Sequence, residues 1–162
     1  MSAIQDTYRY NSVAAAKYIA AYANEHRYAI NITKIQKLLY IAYGTFLSVN
    51  NERLTDEHPQ AWPYGPVFPT TRSKLLHIDI QSINIKDPDI LFLESDSELK
   101  GLIEFVFRFF RWKNAADLTE WSHKDGSAWH RTTNMRNFDW GCIIPDEYIK
   151  EYFDSIIVRD ND

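Results

Sequence analysis

Apolar residues recur at steps of three and four between Thr33 and Val49, the strongest pattern along the chain. At 3.6 residues per turn, positions with this spacing share one face of a helix about four turns long. Thr33 and Gln36 form a capping-box pattern at its start, and Asn50-Asn51 interrupts the periodicity at its end. The pattern therefore predicts a core helix. Its expected buried face consists of Ile35, Leu38, Leu39, Ala42, Phe46 and Val49.

The same periodicity predicts a second long helix later in the chain. Ser95 and Glu98 make another capping box at its start, and the apolar positions behind them fall on one stripe. That stripe consists of Leu99, Leu102, Ile103, Val106, Phe109 and Phe110. Because both helices have an apolar face, we expect this helix to pack against the helix of residues 35–49.

Shorter helical patterns account for much of the remaining sequence. Helices are predicted from Ser12 to Ala23, from Thr70 to Leu76, from Asn114 to Gly126, and from Pro145 to Ile156. Ser127 is a candidate N-cap for whatever follows Gly126.

Prolines are concentrated between Leu54 and Pro69. Proline removes a backbone donor and restricts the preceding residue, so no long helix fits there. Short extended pieces around Leu54 and Ala61-Trp62 are expected to pair as a small hairpin. The sequence thus predicts a mainly α fold, a compact single domain over residues 1–162 with five to six helices and a minor extended hairpin around residues 54–69. Residues 1–10 and 158–162 are expected to be flexible.

Composition narrows the class of protein. The 162 residues suffice for one hydrophobic core, and the single cysteine, Cys142, cannot form an intrachain disulfide. The formal net charge of -4 gives no overall attraction for nucleic acid, and no stretch approaches the roughly eighteen apolar residues that span a bilayer. We therefore expect a cytoplasmic protein whose partner is neither a membrane nor a nucleic acid.

Candidate catalytic chemistry is sparse. None of the five histidines has the i, i+4 spacing of a helical zinc pair, and no phosphate- or dinucleotide-binding glycine motif is present. His123 and Asp125 have the residue types of an acid–base pair, but a helix end followed by a turn at Gly126 accounts for them better. We predict no catalytic residue, no metal site and no cofactor, and hence no enzyme.

One basic cluster stands at the end of the second long helix: Arg108, Arg111 and Lys113. Such residues contact phosphate in nucleic-acid-binding proteins, but at a helix end they also complement the helix dipole from a solvated face. A DNA-binding regulator of its own operon therefore stays as an alternative function.

Two segments carry the most unusual residue combinations, KIQKLLYIAYG at 34–44 and AWPYGPVFP at 61–69. Gly44 lies inside a helical pattern, where glycine costs about 1 kcal/mol relative to alanine, so a closely packed neighbour is expected there. In the second segment, Pro63 and Pro66 hold Trp62 and Tyr64 in a rigid bend. The bend either presents these aromatics to a partner or locks them onto the neighbouring helix. Aromatic residues make up 15% of the chain, and Tyr and Trp are enriched at interfaces.

The order and spacing of these segments resemble the Panacea domain of bacterial and phage-associated proteins. The resemblance covers the helix of residues 35–44, the AWPYGPVFP segment, and a later Leu118-Thr119 element with His123 and Trp129. It continues through Ile144-Pro145 to the closing helix, and so extends over about residues 10–155.

What the resemblance implies is a function in protein binding. Panacea proteins are antitoxins of toxin-antitoxin systems, which neutralise protein toxins by direct complex formation. Their toxins include alarmone-synthetase-like and other translation-targeting enzymes, and one relative is an adaptor that delivers its toxin to a protease. The resemblance therefore implies a type II antitoxin with a cognate protein toxin as partner. The toxin's identity, inhibition by occlusion versus delivery of the toxin to a protease, and self-association as a homo-oligomer stay open.

The two motifs and the later element supply the expected partner-binding residues. These are Lys37, Tyr40, Trp62, Tyr64, Gly65, Pro66, Val67, His123 and Trp129.

Overall fold

The computed structural model describes residues 3–157, and this part of the chain is mainly helical, as predicted. Its α-helices are α1 (Ser12–Glu25), α2 (Ile32–Asn50), α3 (Pro69–Leu75), α4 (Ser97–Phe110), α5 (Ala115–Ser122), α6 (Ala128–Thr133) and α7 (Asp146–Ile156). Its strands are β1 (Gln5–Tyr10), β2 (Glu52–Thr55), β3 (Gln60–Trp62) and β4 (Gly65–Val67). Short 3-10 segments lie at Ile80–Ser82 and Leu91–Ser95. The described range thus holds seven α-helices rather than five to six, since Ser127 caps the additional helix α6.

The central element is α2, which is buried around its whole circumference. Every residue from Lys34 to Ser48 is buried, including those off the predicted apolar face. The other elements surround it: α1, α3, α4, α5, α7, β2 and β4 all contact it. A helix covered from every side buries all its faces, which amphipathic periodicity does not anticipate. Val49, predicted to be in the core, is 61% exposed near the end of the helix.

Three helices begin at a different cap from the predicted one. In each, an Asn or Asp side chain accepts a hydrogen bond from the backbone amide three residues on, as an N-cap does. The caps are Asn11 for α1, Asn31 for α2 and Asp96 for α4, in place of Ser12, Thr33 and Ser95. The predicted capping boxes are therefore wrong. The predicted cap of α5 by Asn114 is confirmed, and Asp117 completes a capping box there.

The minor hairpin predicted within residues 54–69 is confirmed, but its strands are β3 and β4 rather than the pieces around Leu54 and Ala61-Trp62. β3 pairs antiparallel with β4, so Ala61 lies opposite Pro66 within the segment itself. The segment at Leu54 belongs to β2, which instead pairs in parallel with β1. Strand β1 occupies part of the range that was expected to be flexible. Its pairing was not predictable from a local pattern, because its partner β2 is distant in sequence. Residues 158–162, the other segment expected to be flexible, lie outside the described residues.

The closing helix α7 packs directly on α2. Ile149 and Phe153 are buried, whereas Ile156 is 43% exposed, and Pro145 is the N-cap of the helix rather than its first residue. The Tyr43 hydroxyl donates a 2.6 Å hydrogen bond to Asp146 at the start of α7. The ring of Phe153 lies against Gly44, which confirms the closely packed neighbour expected there. Within residues 3–157, no helix is long and apolar enough to cross a membrane.

Candidate partner-binding site

Two buried side chains of α2 attach the AWPYGPVFP segment to the core. The Gln36 Oε1 atom accepts a 2.7 Å hydrogen bond from the Phe68 amide, and Gln36 Nε2 donates to the Phe68 carbonyl at 3.4 Å. Lys37 Nζ donates a 3.0 Å hydrogen bond to the Pro66 carbonyl. Polar residues inside the KIQKLLYIAYG helix therefore fix the second motif to the first.

Lys37 is an uncommon buried cation, with 1% of its surface exposed. No carboxylate in the described part of the chain lies within ion-pair distance of it, and its Nζ atom is 5.7 Å from the centre of the Tyr64 ring. The carbonyl of Pro66 and the face of Tyr64 stabilise the charged form only in part. Burial consequently lowers the pKa of Lys37 to about 8.

Gly65 brings the backbone of the bend against Lys37 and α5. Its φ of +113° lies in the region that favours glycine. A Cβ atom at this position would lie 2.7 Å from Ser122 Oγ and 3.1 Å from Lys37 Cε. Glycine is therefore required here both by conformation and by the close approach of two side chains.

The later His and Trp residues pack on the same bend. The rings of His123 and Trp129 stack with centroids 3.8 Å apart, and Trp129 Nε1 donates a 2.8 Å hydrogen bond to the Trp62 carbonyl. Burial, with the nearby charge of Lys37, lowers the pKa of His123. Its Nε2 atom is buried and makes no hydrogen bond within residues 3–157. The neutral ring is thus the form that suits this position.

The nine expected partner-binding residues divide by exposure. Five are buried and contribute to the fold beneath the bend: Lys37, Tyr40, Gly65, Pro66 and Val67. Tyr40 lies against the ring of Phe153 in α7. Four are at least partly exposed: Trp62, Tyr64, His123 and Trp129. Buried side chains cannot contact a partner directly, so the expectation of direct contact is retained only for the second group.

Trp140 adds a large aromatic side chain to the group of Trp62, Tyr64 and Trp129, although the sequence did not indicate it as a binding residue. It is 55% exposed, and its ring lies 6.2 Å from that of Trp129 and 4.8 Å from that of Phe138. The Gly141 amide donates to the Ala61 carbonyl, and the Ala61 amide donates to the Cys142 carbonyl, which holds this segment beside β3. We call Trp62, Tyr64, Trp129 and Trp140 the motif surface. Only the pairing with β3 brings Trp140 there, so spacing along the chain held no signal for it.

A second set of exposed aromatics lies on α4. Phe105 is 37% exposed, Phe109 57% and Trp112, just beyond the helix, 80%. We call these three residues the α4 stripe. The predicted core position of Phe109 is wrong, because Phe107 turns inward instead and packs on Tyr22. The predicted packing of this helix against α2 is confirmed.

The candidate catalytic and basic residues have other neighbours. Asp125 lies 3.5 Å from His130 Nε2, rather than pairing with His123. Arg111 is half-buried and donates a 2.5 Å hydrogen bond to the Tyr28 hydroxyl, whereas Arg108 and Lys113 of the basic cluster are exposed. Within residues 3–157, no group of three or more His, Cys, Asp or Glu side chains is placed to hold a metal ion.

The fold and this site define a mainly helical protein whose motifs build an aromatic surface, the kind used for protein binding. The sequence profile of the family described as "Antitoxin SocA-like, Panacea domain" matches residues 35–130. The chain belongs to this family. Antitoxin SocA of Caulobacter vibrioides (strain NA1000 / CB15N) is 29% identical over 136 residues, which are 74% of this chain and 69% of that protein. No solved structure matches the chain.

Proposed function

We propose that this protein is the antitoxin of a type II toxin-antitoxin system and neutralises a cognate protein toxin by direct binding in the cytoplasm. The observation that carries the proposal is membership of the SocA-like antitoxin family, through a match that includes the first motif segment from Ile35 onward and the whole of the second. The similarity to Antitoxin SocA supports the same role. Translation-targeting enzymes, alarmone-synthetase-like toxins among them, are the first toxins to test.

The motif surface is the part of the molecule that we propose contacts the toxin. Tyr and Trp provide large contact area with few rotatable bonds, so they lose little entropy on binding. Their positions are also fixed before binding, because Trp129 is hydrogen-bonded to the Trp62 backbone and stacked on His123. Because a preformed aromatic surface loses little conformational entropy on binding, more of its contact energy contributes to affinity.

Co-expression with the protein encoded by the adjacent gene tests the function. Expression of that protein alone should stop growth, and expression of this chain with it should restore growth. Pull-down of the pair should show a direct complex. A restored culture with an unchanged toxin half-life supports inhibition by binding, whereas a shortened half-life would indicate delivery to a protease. A harmless adjacent gene product would contradict the proposal.

Replacing Trp62 by alanine tests the motif surface. The backbone carbonyl that accepts from Trp129 remains in the Trp62→Ala variant, so we expect a wild-type circular dichroism spectrum and toxin affinity lowered at least about ten-fold. Phe92→Ala is the matched control, because Phe92 is 64% exposed in a 3-10 segment outside the motifs. Full toxin affinity in a folded Trp62→Ala protein would refute direct contact, and unfolding would assign Trp62 to the fold.

A further inference from the structure

A polar cavity of about 400 Å³ lies between the C-terminal half of α1 and the first turns of α4. Cavities of this volume are large enough for a small ligand or for a side chain of another protein. We call it the α1–α4 cavity. Its polar lining comes from both helices, from the residue that ends α1 and from the 3-10 segment before α4: Tyr22, Glu25, His26, Glu94, Lys100 and Glu104.

Lys100 shows which kind of charge the α1–α4 cavity stabilises. Its Nζ atom donates a 3.0 Å hydrogen bond to a carboxylate oxygen of Glu94. This pairing raises the pKa of Lys100, and the charges of Glu104 and Glu25 raise it further. The three carboxylates of the cavity therefore act together on one ammonium group and favour its charged form.

The carboxylates of the cavity outnumber its one lysine. Glu94 accepts from Lys100 and, at 3.1 Å, from the Tyr18 hydroxyl. Glu25 and Glu104 are exposed, and neither forms an ion pair within residues 3–157. The last carbonyls of α1 add the partial negative charge of a helix C-terminus beside Glu25. The cavity thus keeps an excess of negative charge after Lys100 is counted.

A buried tyrosine supplies a polar group without a partner at the same place. Tyr22 is only 8% exposed, yet its hydroxyl makes no hydrogen bond in the described part of the chain. Burial raises the pKa of Tyr22, and the charge of Glu104 raises it further, so the hydroxyl lies close to that carboxylate. Buried polar groups in folded proteins nearly always have a hydrogen-bond partner. An occupant of the cavity would provide one.

His26 adds an acceptor and an aromatic face. Its Nδ1 atom lies 2.9 Å from the Tyr22 carbonyl, and a carbonyl can only accept, so Nδ1 carries the hydrogen. In the neutral ring Nε2 is then left as an acceptor. The rings of Tyr22 and His26 stack with centroids 4.1 Å apart, and the face of a tyrosine ring attracts cations. Acceptors and aromatic faces suit an occupant that carries N–H donors and positive charge.

A single metal ion does not fit this arrangement. Within residues 3–157, no group of three or more His, Cys, Asp or Glu side chains is placed to hold one. The acceptors of the cavity are therefore too widely spaced for one small ion. A cation that meets Glu25 and Glu104 together must be extended, as an aliphatic chain with several N–H groups is.

We propose that the α1–α4 cavity binds an extended organic cation, with ammonium or guanidinium groups on an aliphatic chain. Glu25 and Glu104 are its counter-ions, and the Tyr22 hydroxyl and His26 Nε2 accept from its N–H groups. A free polyamine and a basic side chain of a partner protein both have this chemistry, and the experiment below separates them. The inference does not rest on the antitoxin function, since none of these residues belongs to the motif surface.

Calorimetric titration of the full-length protein with spermidine at low salt tests the site. We expect saturable binding of one spermidine per chain, with a dissociation constant below about 1 mM. The double variant Glu25→Gln, Glu104→Gln removes both counter-ions and should bind at least about ten-fold more weakly. Lys100→Gln removes the competing ammonium and should bind about three-fold more tightly or better. Tyr22→Phe keeps the ring without its hydroxyl and should bind about two- to five-fold more weakly.

A matched control separates this site from general attraction to an acidic protein. Glu120 and Glu147 are exposed carboxylates on α5 and α7, outside the cavity. The double variant Glu120→Gln, Glu147→Gln has the same net charge as the double variant in the cavity, and it should bind spermidine as the wild type does. Circular dichroism of each variant verifies that it is folded.

Binding of the same variants to the protein encoded by the adjacent gene identifies the source of the cation. Spermidine binding that depends on the cavity residues supports a free polyamine, and it does so even if the adjacent gene product is harmless. If spermidine does not bind, a ten-fold loss of affinity for that protein in the cavity variant alone supports a basic side chain of the partner. The inference is overturned if neither is seen, or if the control variant loses spermidine binding equally.

Discussion

At the scale of single residues, Lys37 shows how a charged side chain can belong to the interior. The sequence suggested a partner-facing role, since lysine is usually exposed. In the structure its four-carbon stem passes through the core, and its ammonium reaches the Pro66 carbonyl. A bend that contains prolines has few amide donors, and a lysine can instead satisfy its carbonyl from the neighbouring helix.

The lowered pKa of Lys37 predicts a specific dependence of stability on pH. The unfolded chain holds this proton up to about pH 10.4, whereas the folded protein releases it near pH 8. Between these values the unfolded state binds more protons, so the free energy of unfolding rises with pH. From pH 7 to 9.5 the contribution is about 2 kcal/mol.

Denaturant unfolding of the wild type and of Lys37→Met, at pH 7 and at pH 9.5, measures this contribution. Methionine keeps the length of the side chain without its charge, and groups that titrate elsewhere affect both proteins. The difference in stability between the two should therefore move in favour of the wild type by about 2 kcal/mol at the higher pH. If the difference in stability between the two proteins is the same at both pH values, the folded environment does not shift the pKa of Lys37.

At the scale of elements, glycines in two helices have opposite surroundings. Gly44 in α2 lies under the ring of Phe153, so the helices α2 and α7 approach each other through a missing side chain. Gly101 in α4 has open space beside it. Gly44 is therefore required for packing within the molecule, whereas Gly101 is not.

Alanine substitution should separate these two glycines. Gly44→Ala forces Phe153 out of its position, and overpacking of this kind costs about 1–3 kcal/mol, only partly offset by better helix propensity. Gly101→Ala meets no atom and should stabilise the protein by about 0.5–1 kcal/mol. Thermal or denaturant unfolding of both variants provides the measurement. A stable Gly44→Ala protein would show that α7 can shift on α2 at little cost.

At the scale of the whole molecule, α2 connects the parts of the fold. It contacts elements from β2 through to α7, and its side chains hold both the motif bend and the closing helix. The matched family region, residues 35–130, ends before α7, yet Phe153 of α7 fills the surface of α2 beside Gly44. We therefore propose that the chain folds as one domain, to which α7 belongs.

This arrangement predicts a single cooperative unfolding transition. With elements from both ends of the described chain packed on one helix, loss of any of them exposes the same core. Far-ultraviolet circular dichroism reports helices, and fluorescence of the five tryptophans reports mainly the region around α5, α6 and the motif bend. The two signals should give the same midpoint in denaturant. Separate midpoints would reveal an independently unfolding part.

Local rules accounted for the helices and for little of the candidate site. Periodicity found both long helices, and Asn114 and Ser127 were recognised as caps because capping depends on a few adjacent residues. The buried face of α4 was predicted only in part. Phe107 and Phe109 are both apolar, and the positions of α1 and α2 determine which of them is covered. The exposed α4 stripe is a consequence of that choice.

The sequence by itself determined the helical class, the long helices and the family, since each depends on residue types at short or fixed spacing. The tertiary structure alone decided that Lys37 is buried, that Trp140 joins the motif surface, and that β1 pairs with β2. These features depend on contacts between segments distant in sequence. Whether a residue is buried depends on the segments that pack against it. A periodic pattern describes only the segment to which the residue itself belongs.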